Sequence, residues 1–240
     1  MIYDEYLTTA ELQRWILDVD VAWNSVDRAL ALAQPWLLDQ VHDAALIESY
    51  FPLYTGKLVT TFFDQVDLTS VFSVQLYEAF KHFYVLNRYL EIVDYHAITE
   101  REIVEVRRRN EVNRLADLVS ELTRYMMSEH FAAYFFLRLS RQAEESVLRK
   151  IAGFIAKDEF RHTQFAFDLL DPRVRGDDNA RRRCLKAAEN FRHVGADVVA
   201  HVPISQKNDL QAILTLDQKI HRLCGVGLAD SAKVAMNANY

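Results

Sequence analysis

The sequence predicts an all-α protein, a four-helix bundle core with additional helices at both ends. Three observations point there. Glycine (6) and proline (4) are scarce in 240 residues, so turn and hairpin signals are weak. Apolar residues recur at helical spacing through most of the chain. Several of these stripes also carry an ionisable group, most plainly Glu159 and His162, three apart and so on one helix face. Bundles that hold two iron or manganese ions use such a Glu-x-x-His pair on each of two helices and a lone Glu on each of the other two.

Length and composition agree with one folded domain, residues 1–240. Hydrophobic content is 50% and charged content 26%, ordinary for a soluble protein with a large core. A net charge of -6 argues against a general nucleic-acid binder. Cys184 and Cys224 form no disulfide framework and no metal motif, and free thiols in a reducing cytoplasm are expected. The acidic start Met1-Ile2-Tyr3-Asp4-Glu5-Tyr6 is no signal peptide. No apolar run approaches the roughly 20 residues of a membrane span.

The helices follow in order. Thr8 or Thr9 caps a first helix, with Leu12, Trp15, Ile16, Val19, Trp23, Val26 and Leu30 as its stripe, running to about Gln34. No chemistry is expected on it. A second helix covers about Leu37–Phe63, with Glu48 as the one acid among Val41, Ala44, Ala45 and Thr55. Pro52 is expected to bend it. After a turn at 64–67, a third helix runs from about Thr69 to Val93 and presents Gln75, Glu78, Ala79 and His82 on one side. Thr99 and Glu102 form a capping box for a fourth element. That element begins polar and regains a stripe at Leu115, Leu118, Leu122, Met126, Glu129, Ala133 and Phe136. The next helix, about Ala143–Leu170, carries Glu159 and His162 inward and ends at Asp171-Pro172. C-terminal helices are expected over about 177–224, and a loosely held tail over 225–240.

Six groups therefore rise from apolar stripes: Glu48, Glu78, His82, Glu129, Glu159 and His162. One buried acid alone is more often a flanking residue, and one histidine more often a core or surface group. Four acids facing a single core would repel unless cations neutralised them. Two divalent ions supply that charge, and a set rich in oxygen donors with two imidazoles suits iron, or manganese, better than zinc. His130, His42, His96, His193, His201 and His221 have no comparable context and are expected to be structural or surface groups.

Three stretches carry a resemblance. Ser140-Arg141-Gln142-Ala143 is followed by Ile155-Ala156-Lys157-Asp158-Glu159-Phe160-Arg161-His162. Glu129 stands twelve residues before Arg141. His82 is followed by Leu86-Asn87-Arg88-Tyr89-Leu90. Over about residues 40 to 200 the chain resembles the soluble acyl-carrier-protein desaturases, di-iron proteins of ferritin-like fold. The resemblance implies a ferritin-like bundle over about 37–170, two iron ions, dioxygen as co-substrate and a role in fatty acid metabolism. It also implies an acyl chain on acyl carrier protein as substrate, a ferredoxin-type electron donor and a homodimer. Asp158 matches the acid that holds the first motif's histidine, so it is expected on His82.

Two departures stand out. The family's first motif is Glu-Glu-x-x-His, and alignment on His82 puts Ala79 where the bridging Glu belongs. Glu78 is then either a ligand re-aimed by a helix bulge, which is the expectation taken, or a group that orients His162 from behind. Ala132 stands where the family has a threonine, which weakens the case for ordinary desaturation. A hydroxylase or N-oxygenase on another substrate, or a metal-binding protein without catalysis, are the alternatives. Tyr125, Met126, Phe131, Phe135 and Phe136 are candidates for an acyl channel, although such residues are commonly plain core. Arg107, Arg108, Arg109, Arg114, Arg173, Arg175, Arg181, Arg182, Arg183 and Lys186 are candidates for docking an acidic carrier, or a solvated face.

Overall fold

The computed structural model describes residues 1–109, 115–199 and 209–230, with ten α-helices and no strand among them. In chain order these are α1 (Ile2–Gln13), α2 (Leu17–Asp20), α3 (Arg28–Leu32), α4 (Pro35–Thr61), α5 (Val66–Val93), α6 (Glu100–Arg109), α7 (Leu118–Gln142), α8 (Ser146–Val174), α9 (Asp178–Glu189) and α10 (Leu210–Cys224). Residues 231–240 of the expected tail, with Arg114, His201 and the side chain of Arg109, lie outside the described residues.

Four long helices dominate. α4 and α5 form one closely packed pair, α7 and α8 another, and α5 meets α8 across the middle. Their ends are set by side chains. Asp117 accepts from the Val119 and Ser120 amides to start α7, and Glu145 accepts from Val147 and Leu148 to start α8. Thr99 and Glu102 bond reciprocally at the start of α6, as the capping box requires. Pro35 occupies the first turn of α4, where its missing N–H costs nothing.

Four boundaries differ from expectation. The first expected helix is broken into α1, α2, a 3-10 turn at Trp23–Ser25 and α3. Leu12 and Val19 are 80% and 75% exposed, so their helical spacing marks no buried stripe. The break lets Trp15 turn inward, while Asp20 and Asp27 cap the short pieces. The expected fourth element is two helices, because Asp117 begins α7 afresh and Glu121 holds the Ala116 amide. The third helix starts within the expected turn, at Val66. Finally, α8 continues through Pro172 to Val174. Arg173 satisfies the Leu169 carbonyl at 2.7 Å, which helps close that last turn.

The core divides around the polar centre. One apolar cluster lies toward Tyr54, Phe72 and Tyr125, the other toward Tyr89, Phe136 and Ile151. Cys184 and Cys224 are free and buried. No helix among the described residues is long and apolar enough to cross a membrane.

Candidate metal centre

Between the two clusters the four long helices present their buried ionisable groups. α4 contributes Glu48, α5 His82, α7 Glu129, and α8 both Glu159 and His162. Ligand atoms of Glu48, His82 and Glu159 lie within 4.8 Å of one another, and so do those of Glu129, Glu159 and His162. Glu159 belongs to both sets. Its Oε1 is 2.9 Å from His82 Nδ1 and its Oε2 is 3.0 Å from His162 Nδ1. Glu48 Oε2 stands 3.7 Å from His82 Nδ1, and Glu129 Oε2 stands 3.0 Å from His162 Nδ1.

A second ring of groups lies behind the histidines. His82 Nε2 is 3.0 Å from Asp158 Oδ2, and His162 Nε2 is 2.8 Å from Glu78 Oε2. Each acid stands four residues before the histidine of its own helix and holds the histidine of the other helix. Arg161 spans the two acids, 2.6 Å from Glu78 Oε1 and 2.9 Å from Asp158 Oδ1. The N-terminal segment completes the ring. Tyr6 Oη donates to Glu78 Oε2 at 3.1 Å, and Trp15 Nε1 donates to Asp158 Oδ2 at 2.8 Å. The Lys81 ammonium lies 3.7 Å from the centre of the Trp15 ring.

Asp158 thus meets His82 where it was expected, whereas Glu78 does not stand among the inner donors. It lies behind His162 and belongs to neither ligand set. The reason is positional. A residue four before the histidine reaches across to the opposite helix, whereas three before, as in Glu159, faces the shared centre; on α5 that nearer place holds Ala79. No bulge is needed, and α5 runs as α-helix throughout.

The electrostatics follow from burial and crowding. Burial raises the Glu48 and Glu129 carboxyls, and the Glu159 charge raises both further. Burial also opposes ionisation of Glu159, but His162 and His82 outweigh it and hold this carboxyl well below its ordinary range. Burial alone would discharge His82 and His162. Their surrounding acids prevail and raise both well above the ordinary histidine value. Asp158, despite its burial, is held down to about 2 by His82 and Arg161. An ionised Asp158 can only accept, so His82 keeps a proton on Nε2 in either charge state and turns Nδ1 to the centre.

This donor set fits a pair of divalent ions. His82 Nδ1 is buried without a hydrogen-bond partner, although two carboxylates crowd it. A buried ring nitrogen in that condition is what a metal ligand looks like before the metal is counted. Glu48, His82 and Glu159 would hold one ion, and Glu129, Glu159 and His162 the other.

Beside Glu48 and Glu129 is a cavity of about 20 Å³, lined also by Ala44, Ile47, Phe51, Ala132, Phe135, Phe136 and His193. That is room for one water-sized guest. Of the channel candidates, Phe135 and Phe136 line it. Tyr125 and Met126 are fully buried among core side chains, Tyr125 against Phe72 and one turn from Glu129. Phe131 faces a separate groove with Met127, Phe191 and Leu216. His193 is better placed than its sequence context suggested. Its Nε2 faces the Ser128 carbonyl at 3.3 Å and its Nδ1 accepts from the Gly195 amide, so the ring is a fixed wall of the cavity. His130, by contrast, is structural, with Nε2 2.8 Å from the Ala212 carbonyl.

The arginine candidates are mostly engaged. Arg107 is half-buried and donates to the Ser49 carbonyl. Arg181 pairs with Asp178, Arg182 bonds Asn179, and Arg183 pairs with Asp117. Arg108 is exposed. Four groups of the outer ring were given no role in the site by the sequence: Tyr6, Trp15, Lys81 and Arg161. Only Arg161 carried a local signal, as a cation inside the buried turn of Glu159 and His162. No protein-family model matches the chain, and no curated protein matches it.

Proposed function

We propose that the chain is a ferritin-like di-iron oxidoreductase that uses dioxygen on a fatty acyl chain carried by acyl carrier protein. The observation that carries this reading is the sharing of Glu159 between two buried carboxylate–imidazole sets. A bound iron pair supplies the activation of dioxygen that such an oxidation needs. The chain's own groups do the rest. Asp158 and Glu78 fix the histidine tautomers, and Arg161 holds both acids in place. Phe51, Phe135 and Phe136 keep bulk water from the carboxylates. A ferredoxin-type electron donor, a cytoplasmic location and a homodimer belong to the same reading.

The size of the cavity favours a second reading, a hydroxylase or N-oxygenase on a smaller substrate. Room for one water-sized guest is far less than an acyl chain occupies, and Ala132 offers no hydroxyl there. One experiment separates the readings. The iron-loaded protein is given acyl-carrier thioesters, a reduced ferredoxin and oxygen, and the acyl chains are weighed by mass spectrometry. Loss of two hydrogens is expected. Oxidation of the ferrous protein with unchanged acyl chains rejects the acyl substrate and leaves the second reading. Less than one tightly bound metal per chain rejects both, and leaves a protein without redox catalysis.

A further inference from the structure

The metal centre is nearly two-fold symmetric, and the symmetry fails at one place. Glu48 on α4 answers to Glu129 on α7. His82 on α5 answers to His162 on α8, and Glu78 to Asp158. Glu159, three residues before His162, touches both histidines. Its counterpart, three residues before His82, is Ala79. α8 therefore carries a carboxylate three residues before its histidine, and α5 carries a methyl group there.

A second observation lies one turn away. Gln75 is 1% exposed, and neither its Oε1 nor its Nε2 has a hydrogen-bond partner. A buried amide with both ends unmet forfeits a hydrogen bond at each end, so such groups generally have a partner in the working molecule. Gln75, Ala79 and His82 follow the i, i+4, i+7 rhythm and share one face of α5. On α8 the matching positions are Ile155 and Glu159. The helix that supplies the carboxylate has an apolar residue one turn earlier. The helix that lacks it has an uncommitted amide.

Charge points the same way. Three inner carboxylates face four positive charges on two divalent ions. The two outer acids, Glu78 and Asp158, are matched by Arg161 and by Lys81, which is buried beside them. One positive charge is left over, enough for a single monoanion.

We propose that the position beside Ala79 is a binding site for a carboxylate from outside the protein, one that would complete the metal ligands where α5 lacks its own and would be hydrogen-bonded by the Gln75 amide. This rests on the metal-pair reading above. It makes the chain a centre completed by its ligand, with a small carboxylate, or the carboxylate end of a substrate, as the class it selects.

The test uses the full chain loaded with cobalt(II), counted by elemental analysis, with acetate as the probe and the visible absorption of the metal as the readout. Two cobalt ions per chain and a saturable spectral change with one acetate per chain are expected. Ala79→Glu supplies the missing carboxylate and should abolish the acetate response while keeping both metals. Ala79→Asp serves the same purpose if the longer side chain prevents folding. Gln75→Leu should keep the metals and weaken acetate about tenfold or more, the value of a hydrogen bond to a charged group. Two bound metals with no acetate response in the unaltered chain overturn this proposal alone. So does an undiminished response in a folded, fully loaded Ala79→Glu or Ala79→Asp chain. Fewer than two metals per chain overturns the metal-pair reading and this proposal with it.

Discussion

Arg161 Nη2 donates to Glu78 Oε1 at 2.6 Å, and through this contact the supports of both histidines become one network. The same guanidinium reaches Asp158, so one cation serves two buried acids that stand on different helices. Neither acid is in contact with enough water to survive its loss. Arg161→Met should therefore destabilise the metal-free chain by about 3 to 5 kcal/mol, the usual result of leaving buried charges unpaired. A urea titration measures it. A change under 1 kcal/mol would show that the network is solvated and that the contact matters little.

Glu159 and Glu129 should differ in what their removal does to metal content. Glu159 touches both histidines, whereas Glu129 touches only His162. Glu159→Ala should weaken both metals, and Glu129→Ala chiefly one. Asp158→Asn removes no inner donor but loosens His82, and should weaken metal binding about 10- to 100-fold. Competition with a chelator reads all three. Equal losses in Glu159→Ala and Glu129→Ala would mean that Glu159 is not shared.

Acid should act on Asp158 in a defined window. Its carboxyl falls from an ordinary 3.8 to about 2 in the fold. A depressed acid contributes stability that is full above its unfolded value and is lost as pH falls through the folded one. The contribution is about 2 kcal/mol. The stability gap between the unaltered metal-free chain and Asp158→Asn should narrow by about that amount between pH 6 and pH 2. A gap independent of pH rules the linkage out.

Metal loading should release protons. His82 and His162 are raised well above the ordinary histidine value, so near neutrality each metal-free ring is charged. An ion binding at Nδ1 displaces that proton, and apparent affinity should rise with pH. Isothermal titration in two buffers of different ionisation enthalpy counts the protons. Buffer-independent heats would place the metals elsewhere.

Tyr6 offers a test of the N-terminal segment. It is fully buried, and its hydroxyl donates to Glu78 from a helix outside the four long ones. Tyr6→Phe should cost about 1.5 kcal/mol, the value of a hydrogen bond to a charged acceptor, without altering helix content. Thermal unfolding followed by circular dichroism decides it.

Much was legible in the sequence because it is local. Helical periodicity marked α4, α5 and α8 within a few residues and the apolar stripe of α7 but not its start, and Thr99 with Glu102 marked the start of α6. The spacing of Glu159 and His162 put them on one face of one helix, and lone acids in apolar stripes singled out Glu48 and Glu129. Periodicity misled over residues 8–34, where Leu12 and Val19 keep helical spacing but face solvent. A repeat of apolar residues says which face they share, but not whether anything covers it.

What the sequence determined by itself is the set of residues able to ligate, since residue type and spacing along one helix are local properties. Only the tertiary structure decided that Glu78 meets His162 from behind and does not join the inner donors. Glu78 and Asp158 cross between α5 and α8, and Tyr6 and Trp15 reach them from a segment more than 70 residues away in the chain. Those pairings depend on how far one helix is slid and turned against another. Packing of whole apolar faces sets that register, and no spacing within a single helix encodes it.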